Sequence, residues 1–229
     1  MRYNQFNQPI GKALPDFSNG ELPSIALLQG QYCRLEKLSA AKHSDDLFEV
    51  YSSPQHYWTY LALEPFQQKE ALMAYLSQIE TSQDPYYFVI IDESTQQAIG
   101  TFALMRIDQR NRVIEVGWVI YSPKLQQTRI ATEAQFLLAE YVFETLKYRR
   151  YEWKCDSLNE PSRKAALRLG FIYEGTFRQA QVYKGRNRDT AWFSMLDSEW
   201  EKNKARFQRW LANDNFDENG KQILSLSKI

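Results

Sequence analysis

IEVGWVIYSPKLQQTRIATEA, from Ile114 to Ala134, changes character at its middle. Val113–Tyr121 is rich in β-branched and aromatic residues and reads as a strand, which Pro123 closes. From about Thr128 the apolar residues recur at three- and four-residue spacing: Ala131, Ala134, Leu137, Leu138, Tyr141, Val142 and Leu146. That stripe predicts an amphipathic helix from Thr128 to Lys147. The joint between the two, Gln126-Gln127-Thr128-Arg129-Ile130-Ala131-Thr132, offers unpaired backbone N–H groups at the positive end of a helix dipole. Such a joint seats a phosphate or pyrophosphate.

Upstream, Tyr86–Asp92 and Ile99–Ile107 are two further strands parted by the turn-like Glu93–Gln96, and Asp108–Arg112 turns into the strand already described. The three form an antiparallel meander. Before them, Gly30–Leu38 reads as a strand, Ser39–Tyr51 as a helix capped by Ser39, and Gln68–Thr81 as a second helix with Leu72, Tyr75, Leu76 and Ile79 on one face. Downstream come a strand at Tyr151–Asp156, a short helix at Pro161–Leu169 closed by Gly170, two strands at Phe171–Arg178 and Asp189–Leu196, and a helix at Ser198–Leu211. Alternation of strands and helices on this scale gives an α/β (α+β) fold. No repeat or low-complexity linker divides the chain. Residues 1–29, with Pro9, Pro15 and Pro23, read as an irregular leader, 30–200 as the domain, and 201–229 as a closing helix and polar tail.

Composition narrows the chemistry. The 229 residues are 44% hydrophobic and 24% charged, which suits a globular chain. The two cysteines, Cys33 and Cys155, and two histidines, His43 and His56, leave no disulfide framework and no metal site, and they suit a reducing cytoplasm. No apolar run approaches the ~20 residues of a membrane span, and no signal peptide leads the chain. Net charge is zero, which argues against nucleic acid as the partner. The zero conceals a polarity: Glu36–Gly100 carries ten acidic against three basic residues, and Lys147–Asp189 eleven basic against five acidic. Solvated faces account for such runs; so does a molecule whose basic half meets an anionic cofactor and whose acidic half meets a cationic substrate.

In Asp156-Ser157-Leu158-Asn159-Glu160-Pro161-Ser162, a strand passes into a helix with Asn159 placed to cap it. Capping accounts for Asn159 and for Pro161, but it asks for no hydroxyl at Ser162. Three segments then stand in order: Leu125–Ala134, Asn159-x-x-Ser162, and Leu169-Gly170-Phe171-x-x-Glu174-Gly175-x-x-Arg178. Together they resemble the GNAT acetyltransferase superfamily, and within it the RimJ/RimL branch of ribosomal-protein N-terminal acetyltransferases and their relatives, over roughly Gly30 to Trp200.

The resemblance implies a mixed, mostly antiparallel sheet of about six to seven strands flanked by helices and splayed between the strands ending at Tyr121 and Asp156. Acetyl-CoA would enter that gap as co-substrate. Its pantetheine would pair with backbone near Val119, and its pyrophosphate would sit on Gln126, Gln127, Thr128, Arg129, Ile130, Ala131 and Thr132. Asn159 would hold the pantetheine arm, and Ser162 would protonate the departing thiolate. The family's loop pattern has glycine where Arg129 stands; Arg129 either contacts phosphate or marks a different loop path. An amine acceptor, small or peptidic, is implied, and a homodimer is allowed.

An amine attacks a thioester only when unprotonated, and an α-amine of pKa about 7.7–8.0 is partly so at neutral pH, unlike a lysine near 10.4. A carboxylate in an apolar cleft removes the last proton. Glu115, mid-strand in an apolar run, is the candidate base, unless it faces solvent. Gln181 stands where a RimL-like enzyme can carry a glutamate, and a glutamine cannot act as a base. A binding module that kept the cleft and lost catalysis is the alternative reading.

Overall fold

The computed structural model describes residues 1–229. An eight-stranded sheet runs in the order β3-β4-β5-β6-β7-β8-β10-β9, with β3 at Leu27–Gln29, β4 at Cys33–Lys37, β5 at Tyr86–Asp92, β6 at Ala98–Asp108, β7 at Val113–Tyr121, β8 at Arg150–Asp156, β9 at Ile172–Tyr183 and β10 at Arg186–Leu196. A small hairpin, β1 (Arg2–Tyr3) with β2 (Pro9–Ile10), stands apart from it. All neighbours in the large sheet are antiparallel except β7 and β8.

Helices α1 (Ala40–Tyr51) and α2 (Lys69–Ile79) cover one face, and α3 (Arg129–Glu140), α4 (Glu160–Leu169) and α5 (Asp197–Leu211) cover the other. This explains why β5 is apolar at nearly every position. Tyr86, Phe88 and Ile90 enter the larger core beneath α3 and α5, while Tyr87, Val89 and Ile91 enter the smaller one beneath α1 and α2. The limits expected for β5, β6, β7 and β8 hold within a residue or so, while β4 starts three residues later than expected, β9 runs five residues further, to Tyr183, and β10 starts three residues earlier, at Arg186; the sheet is one strand wider than expected. Leu27–Gln29 is only three residues long and follows Pro23, so it has no periodicity to reveal it. The long helix expected through Lys147 leaves α geometry after Glu140 and continues as a π turn over Tyr141–Thr145.

Two features of β7 position the site. Its ladder with β8 pairs Val113–Val116 with Arg150–Trp153 and stops there, although β7 runs on to Tyr121 and β8 to Asp156. The sheet is therefore forked beyond Val116. Within the fork β7 also bulges: Ala103 pairs with Gly117 and Thr101 with Ile120, so two β7 residues oppose one on β6, and Trp118 takes a left-handed φ of 50°. The bulge shifts the side-chain phase. Ile114 and Val116 enter the larger core, but Ile120 enters the smaller one with Trp118 packed against it.

Candidate active site

Both strands of the fork lead at their carboxyl ends into capped helices. Thr128 caps α3, its Oγ1 accepting from the Ala131 amide at 3.1 Å. Asn159 caps α4, its Oδ1 accepting from the Ser162 amide at 3.2 Å. The two positive helix ends thus flank the mouth of the fork. The amides of Gln126, Gln127, Arg129 and Ile130 make no hydrogen bond within the chain, and neither does Asn159 Nδ2. Half-buried Val119 lies on the β7 edge that β8 does not pair. Free donors along an open strand edge and at two helix ends fit a long ligand that carries amides and phosphates.

Not all the loop residues keep their side chains for a ligand. Arg129 turns away: its Nη2 donates to the Leu211 carbonyl and to Asn213 Oδ1, and its guanidinium lies between the rings of Tyr32 and Phe216, 4.0 and 3.9 Å from their centroids. Thr132 is buried and accepts from Arg168. The carbonyl of Ile130 faces the Cys33 thiol.

Ser162 Oγ accepts from Trp153 Nε1 at 3.0 Å, which leaves the hydroxyl proton free to be given away. The neighbouring Cys155 thiol is pushed up by burial, against the opposing effect of Ser162, so it stays protonated.

Glu115 does not face solvent. It is 5% exposed, one residue below the fork, on the face opposite Ile114 and Val116. Its register partner is Glu152, and Lys154 lies between them, Nζ 2.8 Å from Glu115 Oε2 and 2.7 Å from Glu152 Oε2. The ammonium also sits 3.7 Å from the ring centroid of Trp192. Arg106 approaches Glu115 at 3.4 Å, and Arg150 holds Glu152 at 2.6 Å. Burial raises the Glu115 pKa, with Lys154 and Arg106 opposing it. Glu174, by contrast, is held below the usual range by two contacts from Arg150. Gln181 is half-buried on β9, opposite Arg188.

Further residues belong to this face. Asp156, 5% exposed and two residues beyond Lys154, accepts from Tyr183 Oη at 2.7 Å and from the Leu158 amide at 2.9 Å. Burial, then Asp156, pushes the Tyr183 phenol up to about 12. Lys184 donates to the Trp58 carbonyl and Arg186 to that of Thr59, so the β9–β10 turn is fastened to the segment between α1 and α2. The row Glu152, Lys154, Asp156 is a period-two polar stripe, and that was the signal available for it in the sequence.

The acetyltransferase (GNAT) domain model matches residues 33–172, well over half the chain. The chain belongs to that family. It is also 30% identical over 160 residues to an uncharacterized N-acetyltransferase, p20, of Bacillus licheniformis, covering 69% of this chain and 89% of that one. To the ribosomal-protein-serine acetyltransferase of Escherichia coli K12 it is 33% identical over 94 residues, 41% of this chain and 51% of that one. A GCN5-related N-acetyltransferase from Brucella melitensis superposes with a TM-score of 0.91 at 45% identity, covering 93% of this chain and 98% of that structure. The protein is an acetyl-CoA-dependent N-acetyltransferase of the RimJ/RimL-like branch. In this acetyltransferase the β7–β8 ladder ends at Val116 and Trp153, so the two strands part without either being broken. No helix is long and apolar enough to cross a membrane.

Proposed function

We propose that the enzyme acetylates an N-terminal amine or a small α-amino compound, within a catalytic domain spanning residues 30–200. The observation that carries this reading is the scarcity of a strong base. Gln181 cannot accept the proton, and Glu174 is neutralised by Arg150. Glu115 retains the role, but Lys154 and Arg106 hold its carboxylate. A base so restrained suits an acceptor whose own pKa leaves it partly neutral. The similarity to a ribosomal-protein-serine acetyltransferase favours the same class.

Acetyl-CoA supplies the activated acetyl group. The amides of Gln126, Gln127, Arg129 and Ile130, with the capped turn Thr128, Ala131 and Thr132, bind its diphosphate, and Asn159 Nδ2 and the β7 edge at Val119 align the pantetheine arm. The amine approaches from the face bearing Glu115, which takes its proton directly or through water. Backbone N–H groups at the β7 bulge stabilise the oxyanion that develops. Ser162 returns a proton to the thiolate as it leaves. Free thiols at Cys33 and Cys155 suit a cytoplasmic setting.

A competition assay tests the acceptor class. A peptide with a free amino-terminal serine, the same peptide N-blocked but carrying an internal lysine, a free amino acid and a polyamine are each supplied with acetyl-CoA. Acetylation concentrated on α-amines supports the reading, and preference for the internal lysine overturns it.

A further inference from the structure

Four carboxylates are buried: Glu115, Glu133, Glu152 and Asp156. The chain itself compensates three of them. Glu115 and Glu152 share Lys154 and each meets an arginine, while Glu133 receives three successive backbone amides. Asp156, 5% exposed, receives only one amide, from Leu158 at 2.9 Å, and one hydroxyl, from Tyr183 at 2.7 Å. The cations around it are engaged elsewhere: Lys154 with Glu115 and Glu152, Arg188 with the Thr190 hydroxyl at 3.2 Å, and Arg163 with the Ser157 carbonyl at 3.3 Å. An ionised carboxylate offers about four lone-pair sites, and the two bonds fill half of them. A desolvated charge in that state is costly unless a cation arrives to pair with it.

The place of Asp156 in the fold says which cation. Continued past the fork by three residues on each strand, the register that pairs Val116 with Trp153 sets Asp156 across from Val119, to within the one residue that the bulge adds. Asp156 alternates with Trp153 and Cys155, which enter the larger core, so it shares the opposite face with Glu152, Lys154 and Glu115. On that face the segment Trp58–Tyr60 passes close by, with Tyr60 Oη donating to the Leu158 carbonyl at 3.1 Å and Lys184 Nζ to the Trp58 carbonyl at 2.8 Å. The Tyr183 phenol, pushed up to about 12, keeps its proton at neutral pH and remains a donor to the carboxylate.

We propose that Asp156 binds the ammonium group of the acceptor across the fork from Val119, and so selects cationic amines over neutral nucleophiles. This rests on the acceptor approaching from the face that bears Glu115. An amine is largely protonated when it arrives at neutral pH, and it supplies the charge that Asp156 lacks. A neutral hydroxyl compound would leave the buried carboxylate unpaired, which is the strongest form of discrimination a polar site offers. Asp156 holds and orients the group, and removal of the proton stays with Glu115.

Calorimetric titration of the full chain saturated with CoA tests this, using two forms of a peptide that begins with serine. In one the terminal nitrogen is dimethylated, which keeps the charge and one N–H but takes no acetyl group. In the other the terminal amine is replaced by hydrogen. Wild type is expected to bind the charged form at least about tenfold more tightly, as a charge-assisted bond to a buried carboxylate implies. Asp156→Asn should abolish that preference with CoA affinity unchanged, and Asp156→Glu should keep part of it. A folded Asp156→Asn with the wild-type preference overturns the proposal, as does a wild type with none. Loss of CoA affinity together with the preference returns Asp156 to a structural role. Where Asp156→Asn fails to fold, Tyr183→Phe decides, because it strips one hydrogen bond from the carboxylate and leaves the charge. Tighter binding of the dimethylated peptide, with the neutral one unaffected, supports the site; weaker or unchanged binding overturns it. Should the acceptor prove to be a lysine or a polyamine, the α-amine reading falls, and the same comparison with the dimethylated and neutral forms of that amine decides for Asp156 separately.

Discussion

Ser162 has one observed role and one proposed role, and a single substitution separates their readouts. Its hydroxyl oxygen accepts from Trp153 Nε1, so Ser162→Ala leaves a half-buried indole N–H without an acceptor and should cost about 1–2 kcal/mol of stability. In the proposed role of proton donor it would act only while the thiolate departs. Steady-state kinetics of Ser162→Ala should therefore give kcat reduced by about a hundredfold with acetyl-CoA affinity little changed. A loss confined to affinity would return Ser162 to a structural role. Glu115 makes a sharper case. Its pKa is raised by burial, so its basic form appears at higher pH than that of an ordinary glutamate. The kcat/KM profile of wild type should rise with pH through that limb, and Glu115→Gln should flatten it while lowering the rate by at least about a hundredfold. An unchanged profile would remove Glu115 as the base. Linkage runs the same way in the fold: a carboxyl with a raised pKa stabilises the protein at low pH and loses that contribution as pH rises. The sequence made Glu115 legible as an acidic residue in an apolar strand. It did not reveal Lys154, because only the parallel register of Glu115 with Glu152 brings that lysine between them.

Two element junctions hold the start of α3 and the first helix in place. Glu133, in the first turns of α3, is buried and accepts from three successive amides, Gln31 at 2.9 Å and Tyr32 and Cys33 each at 2.7 Å. The carboxylate pins the α3 start to the β3–β4 turn. Gly30 permits this, since a Cβ there would lie 2.5 Å from the Cys33 carbonyl oxygen and 2.8 Å from Glu133 Cδ. Glu133→Gln replaces one acceptor oxygen by a donor facing an amide. Chemical denaturation should detect a loss of about 1–3 kcal/mol, with weaker acetyl-CoA binding because the loop follows the helix; unchanged values of both would contradict the junction's role. At the β4–α1 joint, Glu36 meets Arg34, Lys42 and His43, and despite partial burial these hold its pKa down to about 2. Its stabilising contribution is present above its ordinary 4.5 and is lost as pH falls toward 2. Glu36→Gln should flatten acid unfolding over that window by about 1 kcal/mol after solvent screening. The strands β5, β6 and β7 were legible almost to their ends, because apolar patterning and turn residues are local signals. The bulge at Trp118, the three-residue strand Leu27–Gln29 and the π turn after Glu140 carry no periodicity of their own, and no local pattern announces them.

Across the whole molecule, the carboxylates of the acidic half named by the sequence are largely paired with nearby groups of the chain. Asp45 meets Lys69, Glu49 meets Lys124 and Glu64 meets Lys184, while Asp46 accepts from the Ala98 amide. Long-range steering of a cationic acceptor by these carboxylates is accordingly weak, and the KM of Asp45→Asn should differ from wild type by less than about twofold even at low salt. The C-terminal residues likewise do more than trail the domain. Asn215 is buried and bonds the carbonyls of Trp210 and Leu224, and Leu226 is buried in the larger core, so the tail closes over α5 beside Arg129 at the start of α3. Fork, loop and tail converge on one claim: a thioester threaded between β7 and β8 gives up its acetyl group to an amine. Quantifying CoA thiol release from acetyl-CoA, with and without a peptide bearing a free amino-terminal serine, and weighing that peptide by mass spectrometry, tests the claim directly. Amine-dependent thiol release matched one for one by acetyl groups on the terminal nitrogen is expected; thiol release that is absent, or that proceeds without any acetylated amine, would refute the claim.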